Sequence, residues 1–243
     1  RKVGARKAFV VRSHQQLLDE YRSVSQVQPE VVLQEFIPGV DSDLVICGCY
    51  ISRTREMLGH FTARKIIQSP TLFGTGCVVE ACDTTELIAV TAKLLHACHY
   101  SGIAEVEYKH DPATERYCLI EINPRHWDQH QLGTKVGINL SWIAYNDYAL
   151  NKVLIGRPMY DGRIAWVAEQ ELFFEMLRRI VSKTAFPMAF SNWWKARYIF
   201  GIVQGNDPIP GFFLLKNVLA EMLSTLRRLL RHALSWRTRT TEA

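Results

Sequence analysis

The sequence lacks the long apolar runs of membrane-spanning proteins and the apolar leader of secreted ones. Its 243 residues are 48% hydrophobic and 22% charged, a composition that can bury one substantial core and leaves room for a small satellite domain. No apolar run reaches the about 20 residues that cross a bilayer, and the basic start at residues 1–7 carries no secretion signal. These absences predict a globular protein with a cytoplasmic location.

Paired cysteine spacings and a strong charge excess are also absent. The six cysteines never form the C-x-x-C pattern typical of structural zinc sites, so we expect them to be reduced and packed. The net charge is +5, but residues 211–243 hold six Lys or Arg against two Glu, which supplies +4 of it. The nearly balanced remainder argues against a nucleic-acid surface, and no nucleic-acid partner is expected.

Hydrophobic periodicity predicts a mixture of strands and helices in the first two thirds of the chain. Ser13 is typical of a helix cap, and the β-branched run at 31–37 predicts a strand that ends at a Pro-Gly turn. The predicted helices cover 13–23, 84–98 and 139–150, and the predicted strands cover 8–11, 31–37, 43–52, 57–67, 77–81, 103–109 and 117–123. The runs at 43–52 and 57–67 are expected to form an antiparallel hairpin.

The last third changes in character and becomes rich in Trp and Arg. Helices are predicted over 169–182, 193–200 and 212–234, with a break at the Pro- and Gly-containing residues 206–211. The fold class is therefore predicted to be α+β, with an antiparallel sheet and packed helices over residues 1–158 and a helical extension over 159–243. The chain opens without an initiator Met, and we expect it to be part of a longer protein.

Two neighbouring strands carry the most informative residues. Because side chains alternate along a strand, Glu105 and Glu107 share one face, and Glu121 and Asn123 share a face of the next strand. A hairpin centred near Thr114 puts Glu107 opposite Glu121, with Cβ atoms about 5 Å apart. Two facing carboxylates repel, so this register requires a proton, a basic side chain or a divalent cation between them.

The ligand types on this hairpin favour a hard divalent cation. Glu107, Glu121 and Asn123 offer only oxygen ligands, which suits Mg²⁺ or Mn²⁺ and not zinc. Magnesium usually keeps positions for phosphate oxygens, and Arg125 follows closely enough to contact a phosphoryl group. The alternative is a solvated sheet face on which the glutamates pair with Lys109 and Arg116; four oxygen-bearing side chains on one face favour the functional interpretation.

At these residues the sequence resembles the ATP-grasp superfamily, in particular its carboxylate-amine ligases related to carbamoyl phosphate synthetase. Glu107-Tyr108-Lys109 and the segment 119–125 are similar to the paired metal-binding strands of that family. The resemblance implies that Glu107, Glu121 and Asn123 hold Mg²⁺ ions on the phosphates of ATP. It also implies that Arg125 faces the transferred phosphoryl group.

Other positions resemble the nucleotide-contacting parts of the same family. Residues 32–39 are similar to its adenine-binding segment. Lys65 stands where the family places a cation near the phosphates or the acidic substrate, and the basic pair ending at Lys7 resembles the end of a phosphate-binding loop. The implied nucleotide-binding residues are Gln34, Glu35, Phe36, Ile37, Lys7 and, for the ribose, Asp41 or Asp43. The family's N-terminal domain and its preceding phosphate-binding lysine have no counterpart in this chain.

The resemblance implies an ATP- and Mg²⁺-dependent ligase that joins a small-molecule carboxylate to an amine, or to a thiol, through an acyl phosphate. A nucleotide-binding domain without turnover is the alternative. A third hypothesis is docking through residues 212–236, a basic amphipathic helix that can lie on a membrane or a partner; packing against its own domain is favoured.

His126 and His130 lack the Glu of an H-E-x-x-H zinc motif, and we assign 126–130 to the substrate-side wall.

Overall fold

The computed structural model describes residues 8–183 and 195–240. Within them, seven strands form one sheet: β1 (Leu44–Ile51), β2 (Met57–Ser69), β3 (Thr75–Ala81), β4 (Gly102–Asp111), β5 (Arg116–Asn123), β6 (Ile164–Val167) and β7 (Arg197–Phe200). The described helices are α1 (His14–Ser25), α2 (Thr85–Ala97), α3 (His130–Lys135), α4 (Leu140–Leu150), α5 (Glu169–Ser182) and α6 (Ile209–Thr240), and a 3₁₀ turn covers Asp41–Asp43.

The sheet has the strand order β5-β4-β1-β2-β3-β6-β7. Every neighbouring pair is antiparallel except β6 and β7, which are parallel. This arrangement confirms the predicted α+β class with an antiparallel sheet and packed helices. The predicted hairpin of 43–52 and 57–67 is confirmed as β1 and β2.

The last third of the chain adds two strands to this sheet, which the periodicity did not predict. β6 pairs with β3 at its edge, and β7 continues from β6. The helix predicted over 193–200 is therefore wrong in its described part, since Arg197–Phe200 form a strand. Ladder hydrogen bonds to β6 decide the conformation of this short segment, because local propensity is a weak preference that tertiary pairing overrides. The boundary at 158/159 stays a prediction.

The beginning of the chain contains less strand than predicted. α1 is confirmed and starts after Ser13, whose side chain accepts a hydrogen bond from the amide of Gln16. The predicted strands at 8–11 and 31–37 are wrong, because neither segment forms ladder pairs. At 31–37 the link to the sheet is a side chain: Gln34 Nε2 donates to the carbonyl of Ile120 at 3.1 Å. Ile120 is the extra residue of a bulge in β5, which interrupts the edge at this point.

The central strand β1 is covered on both faces. Its residues Ile46 and Tyr50 belong to the cluster that includes α3 and α4, while Val45 and Cys47 belong to the cluster beneath α2. All eight residues of β1 are buried. This two-sided burial explains why the strand reads as a continuous apolar run without polar alternation.

Trp127 packs directly against the backbone of β1. A Cβ atom added at Gly48 would lie 2.5 Å from the ring of Trp127, so a side chain larger than hydrogen does not fit there. Gly48 pairs with Glu105 of β4, and Trp127 stacks on Phe61 of β2 with ring centroids 5.9 Å apart. The indole is thereby fixed next to the acidic hairpin.

The apolar stripe of α6 is exposed over its described side chains. Leu215, Leu219 and Met222 are each more than 40% exposed, and so is Phe212. The favoured prediction that this stripe packs on its own domain is therefore wrong for these residues, since no described element covers them. One hydrogen bond, from Gln170 Nε2 to Glu221 Oε2 at 3.3 Å, links this half of α6 to α5. In the part of the chain that the structure describes, no helix has the length and hydropathy of a membrane span.

Candidate nucleotide and metal site

The β4–β5 hairpin has the register that the sequence predicts. Glu107 pairs with Glu121, and Glu105 pairs with Asn123. Because paired residues point to the same side of a sheet, four oxygen-bearing side chains lie together on one face. They line one cavity of about 340 Å³. The predicted meeting of the two carboxylates is therefore confirmed.

Lys65 of β2 supplies the positive charge that the facing carboxylates require. Its Nζ lies 2.7 Å from Oε2 of Glu107, and the two side chains are only 5% and 11% exposed. Removing two such charges from water is costly, and a close ion pair offsets that cost only when both partners are present. Lys65 is thus held at the acidic hairpin by a buried ion pair that spans from β2 to β4.

Glu105 also belongs to this site. The sequence predicts that it shares a strand face with Glu107, but it is not among the predicted site residues. Burial, followed by repulsion from Glu107, raises the pKa of Glu105 to about 8. Oε2 of Glu105 accepts a hydrogen bond from Asn123 Nδ2 at 3.2 Å. Lys109, two residues beyond Glu107, also lines the cavity. The alternation of Glu105, Glu107 and Lys109 along one strand was the signal that could have found both.

Asn123 and Arg125 continue the polar network at the end of β5. Asn123 Nδ2 donates to Oε1 of Glu121 at 2.8 Å, and Oδ1 of Asn123 accepts from Arg125 Nη2 at 3.3 Å. A second nitrogen of Arg125 donates to the carbonyl of His126 at 3.0 Å. The guanidinium is therefore tied to the acidic hairpin, and it lines the same cavity.

The predicted adenine-binding segment forms another wall of this cavity. The ring of Phe36 lies 5.9 Å from Lys109 Nζ and meets Phe73 edge to face, with centroids 6.4 Å apart. Leu72 and Phe73 add further apolar surface. The structure thus brings together nine of the predicted site residues around one cavity: Gln34, Glu35, Phe36, Ile37, Lys65, Glu107, Glu121, Asn123 and Arg125.

The remaining predicted nucleotide residues lie elsewhere. Asp41 is buried and accepts hydrogen bonds from the amides of Gln68 and Leu72 at 3.0 and 3.4 Å. Asp43 accepts from the amide of Val40 at 2.7 Å, as part of the turn before β1. Neither aspartate lines the cavity, and Lys7 lies outside the described residues. Their assigned ribose and phosphate contacts stay predictions.

A buried network from α5 holds the loop that closes one side of the cavity. Arg179 Nε donates to Glu175 at 2.8 Å, and both side chains contact Thr71 in the loop, at 3.1 and 3.0 Å. Arg179 also lies 3.6 Å from Asp41, so one guanidinium links α5, the loop and the turn before β1. Sequence patterns gave no sign of this network, because its three segments, at Asp41, at Thr71 and at residues 175–179, are about 30 to 140 residues apart.

A second cavity of about 580 Å³ adjoins the first. The two cavities share Thr75, Trp127 and Asp128. The second is also lined by His126 and His130, which agrees with the assignment of 126–130 to a wall beside the nucleotide site. The rings of these histidines lie 4.9 Å apart, and burial together with the neighbouring His130 lowers the pKa of His126.

The described residues contain no set of three converging His, Cys, Asp or Glu side chains of the kind that cages a metal by itself. Mg²⁺ does not require such a cage, since it usually takes one or two protein carboxylates and completes its shell with water and phosphate oxygens. Glu107, Glu121 and Asn123 offer the matching hard oxygen donors. The arrangement can therefore hold a divalent cation together with a phosphate-bearing ligand.

The segment that forms this site matches a known family. The model described as "Carbamoyl-phosphate synthase L chain, ATP binding domain" matches residues 64–146, which run from β2 through the acidic hairpin into α4. This segment is therefore similar to the ATP-binding domain of that family. It is similar to the domains of carboxylate-amine ligases, as the resemblance of the hairpin implied.

Two relatives extend the comparison beyond this segment. A D-aspartate ligase of Enterococcus faecium (strain Aus0004) is 27% identical over 184 residues, which cover 72% of this chain and 44% of that protein. The biotin carboxylase domain of Hydrogenobacter thermophilus 2-oxoglutarate carboxylase, solved with MgADP, ADP and bicarbonate, is 14% identical with a TM-score of 0.51. That match covers 63% of this chain and 36% of the carboxylase domain, and it shows a shared fold. The chain spans less than half of the ligase.

Proposed function

We propose that this chain is the nucleotide- and metal-binding part of an ATP-dependent ligase that joins a carboxylate to an amine. The observation that carries the proposal is the meeting of buried Glu107 and exposed Glu121 on one sheet face, beside buried Lys65. Two carboxylates on one sheet face repel each other, which makes the arrangement unfavourable in a purely structural role. A bound cation would offset this repulsion. The similarity of residues 64–146 to an ATP-binding domain supports the proposal.

In this proposal the oxygens of Glu107, Glu121 and Asn123 would hold Mg²⁺, which would neutralise charge on the phosphates. Mn²⁺ is a candidate substitute, since it prefers the same oxygen ligands. Lys65 and Arg125 donate to the transferred phosphoryl group and stabilise its negative charge. The segment from Gln34 to Ile37 holds the base of the nucleotide, with Phe36 as its apolar contact.

The proposed reaction has two steps. An oxygen of the substrate carboxylate attacks the γ-phosphorus of ATP, so that a new P–O bond forms and the bond to ADP breaks. The amine nitrogen then attacks the acyl carbon, a C–N bond forms, and the C–O bond to phosphate breaks with its electrons leaving on phosphate. An ammonium substrate gives up one proton to water before attack, and the amide nitrogen loses its second proton to the departing phosphate. The chain's contribution is to position groups and charges.

The name of the Enterococcus faecium relative makes D-aspartate the first carboxylate to test. Hydroxylamine serves as the probe amine, because it converts an acyl phosphate to a hydroxamate that ferric ion colours. We expect release of ADP and formation of hydroxamate that both require Mg²⁺ and one carboxylate from a panel containing D-aspartate, L-aspartate and other amino acids.

The alternative without turnover gives a different result in the same assay. Binding of MgATP, measured by calorimetry, without ADP release for any carboxylate in the panel would favour a nucleotide-binding domain and contradict the ligase. Absence of MgATP binding by a folded chain would contradict both functions.

A further inference from the structure

The second cavity has a chemical character of its own. The described residues that line it include three carboxylates, Asp128, Glu169 and Glu171, and no Lys or Arg. The first cavity, by contrast, is lined by Lys65 and Arg125 as well as by acids. A negatively charged, partly enclosed space favours a positively charged occupant.

The three carboxylates are not equally engaged. Glu169 accepts hydrogen bonds from the amides of Ile202 and Val203, so its charge is partly used to anchor the chain after β7. Asp128 and Glu171 are exposed, and no hydrogen bond or ion pair to another described residue is formed by either side chain. Two of the three acids in this cavity are therefore free to meet a ligand.

Two tryptophans give the cavity a second, independent feature. Trp127 and Trp166 line it and are only 6% and 4% exposed. Among the described residues, neither indole Nε1 has a hydrogen-bond partner. A buried N–H donor without an acceptor is costly, and such groups are rare in folded proteins unless water or a ligand completes them. Aromatic rings also attract cations to their faces.

We propose that this second cavity binds the amine substrate as its ammonium ion, and that the substrate carries a carbonyl or carboxylate oxygen that accepts from an indole N–H. The inference rests on the proposed ligase function and names the class of its second substrate. We assign Glu171 and Asp128 to attract the ammonium group, and the unpaired indole N–H of Trp166 to donate to the acceptor oxygen.

The shared wall explains how the amine reaches the reacting carbon. Thr75, Trp127 and Asp128 belong to both cavities, and Trp127 follows Arg125 by two residues. An amine in the second cavity therefore approaches the phosphoryl end of the first cavity from the side, without crossing the nucleotide. The negatively charged phosphates and the positively charged ammonium group thus occupy two adjoining cavities, each lined by charges that suit its ligand.

A titration without nucleotide tests this site directly. The full chain is labelled with ¹⁵N, and glycinamide, an ammonium with a neighbouring carbonyl, is added at about pH 6.5, below the usual pKa of an α-amino group. Glycolamide, which replaces the ammonium by a hydroxyl, is the matched neutral probe. The indole signal of Trp166, assigned with Trp166→Phe, is followed by NMR.

We expect glycinamide to shift this indole signal saturably and glycolamide to shift it much less. Glu171→Gln should raise the Kd for glycinamide about three- to fivefold, the range for one exposed charge pair. Glu56→Gln, an exposed glutamate in the turn between β1 and β2, should leave the Kd unchanged. An unsaturable shift, equal shifts from both probes, or an unchanged Kd in Glu171→Gln would each overturn the proposal.

MgATP binding, measured on the same samples, separates this inference from the function on which it rests. Failure of glycinamide binding with MgATP binding intact overturns the amine site alone. Glycinamide binding without any MgATP binding overturns the assignment of the cavity to a ligase reaction.

Discussion

The two adjoining cavities differ above all in the sign of the charges that line them. The first places Lys65, Lys109 and Arg125 among its acids, whereas the described lining of the second has acids and histidines but no Lys or Arg. A phosphate-bearing ligand needs cations and a metal, and an ammonium ion needs the opposite. The two adjoining cavities therefore suit the two reactants of one ligation, the phosphate-activated carboxylate and the amine.

The cavities also differ in how the fold builds them. Most polar groups of the first come from β2, β4 and β5, whose alternation fixes their direction. The second depends on Trp166 of β6, on the start of α5 and on Gly201 and Ile202 after β7. The nucleotide cavity is thus a property of the core sheet, and the second cavity requires the strands added by the last third of the chain.

The largest effect is expected from Glu121→Ala. Loss of a metal-binding carboxylate should weaken MgATP binding by at least about 100-fold, since even residues that only support metal ligands cost about 10- to 100-fold. Glycinamide binding in the second cavity should be retained. Calorimetry with MgATP measures the first effect, and Glu56→Ala is the matched control. Equal loss of both ligands would break the distinction between the cavities.

Lys65→Met should lower the free energy of unfolding by about 3–5 kcal/mol, because Glu107 would remain buried without its partner. Mg²⁺ should restore more stability to this variant than to the wild type, since the cation can take over the balancing charge. Urea denaturation with and without Mg²⁺ measures both quantities. A variant as stable as the wild type would show that the ion pair does not hold the acidic hairpin together.

Arg179→Met should destabilise the protein by about 3 kcal/mol, since it leaves Glu175 and Asp41 buried without their shared cation. The loop that contains Thr71 lines the first cavity with Leu72 and Phe73, and its flanking residues Ser69 and Thr75 line the second, so both ligands should bind more weakly. Arg178→Met is the control: Arg178 also bonds Glu175 but is half exposed, and about 1 kcal/mol is expected. Similar losses for both variants would mean that burial of Arg179 is unimportant.

The last effect concerns pH. Because the pKa of Glu105 is raised to about 8, the folded metal-free protein binds a proton here that the unfolded chain releases. The contribution of Glu105 to the free energy of unfolding is complete below the pKa that this group has in the unfolded chain. It is lost as the pH rises from about 5 to about 8. Glu105→Gln should flatten this decline. Urea denaturation across that range in EDTA measures it, and an unchanged slope would contradict the assignment.

The acidic hairpin could be predicted because its information is local. Glu107 and its partner Glu121 are 14 positions apart, and two-residue alternation with one turn fixes which side chains meet. The ion pair of Lys65 with Glu107 could not be predicted, since it depends on β2 and β4 lying on either side of β1. The contacts of Arg179, the strands β6 and β7, and the second cavity likewise depend on pairings between distant segments that periodicity does not encode.

Anomalous diffraction from a crystal grown with Mn²⁺ and ADP would test the central claim most directly. A manganese peak in coordination contact with Glu121 and Asn123, with the base of ADP beside Phe36, is the expected result. A peak at any other cluster, or ADP bound away from the β4–β5 hairpin, would contradict the assignment of this cavity to nucleotide and metal.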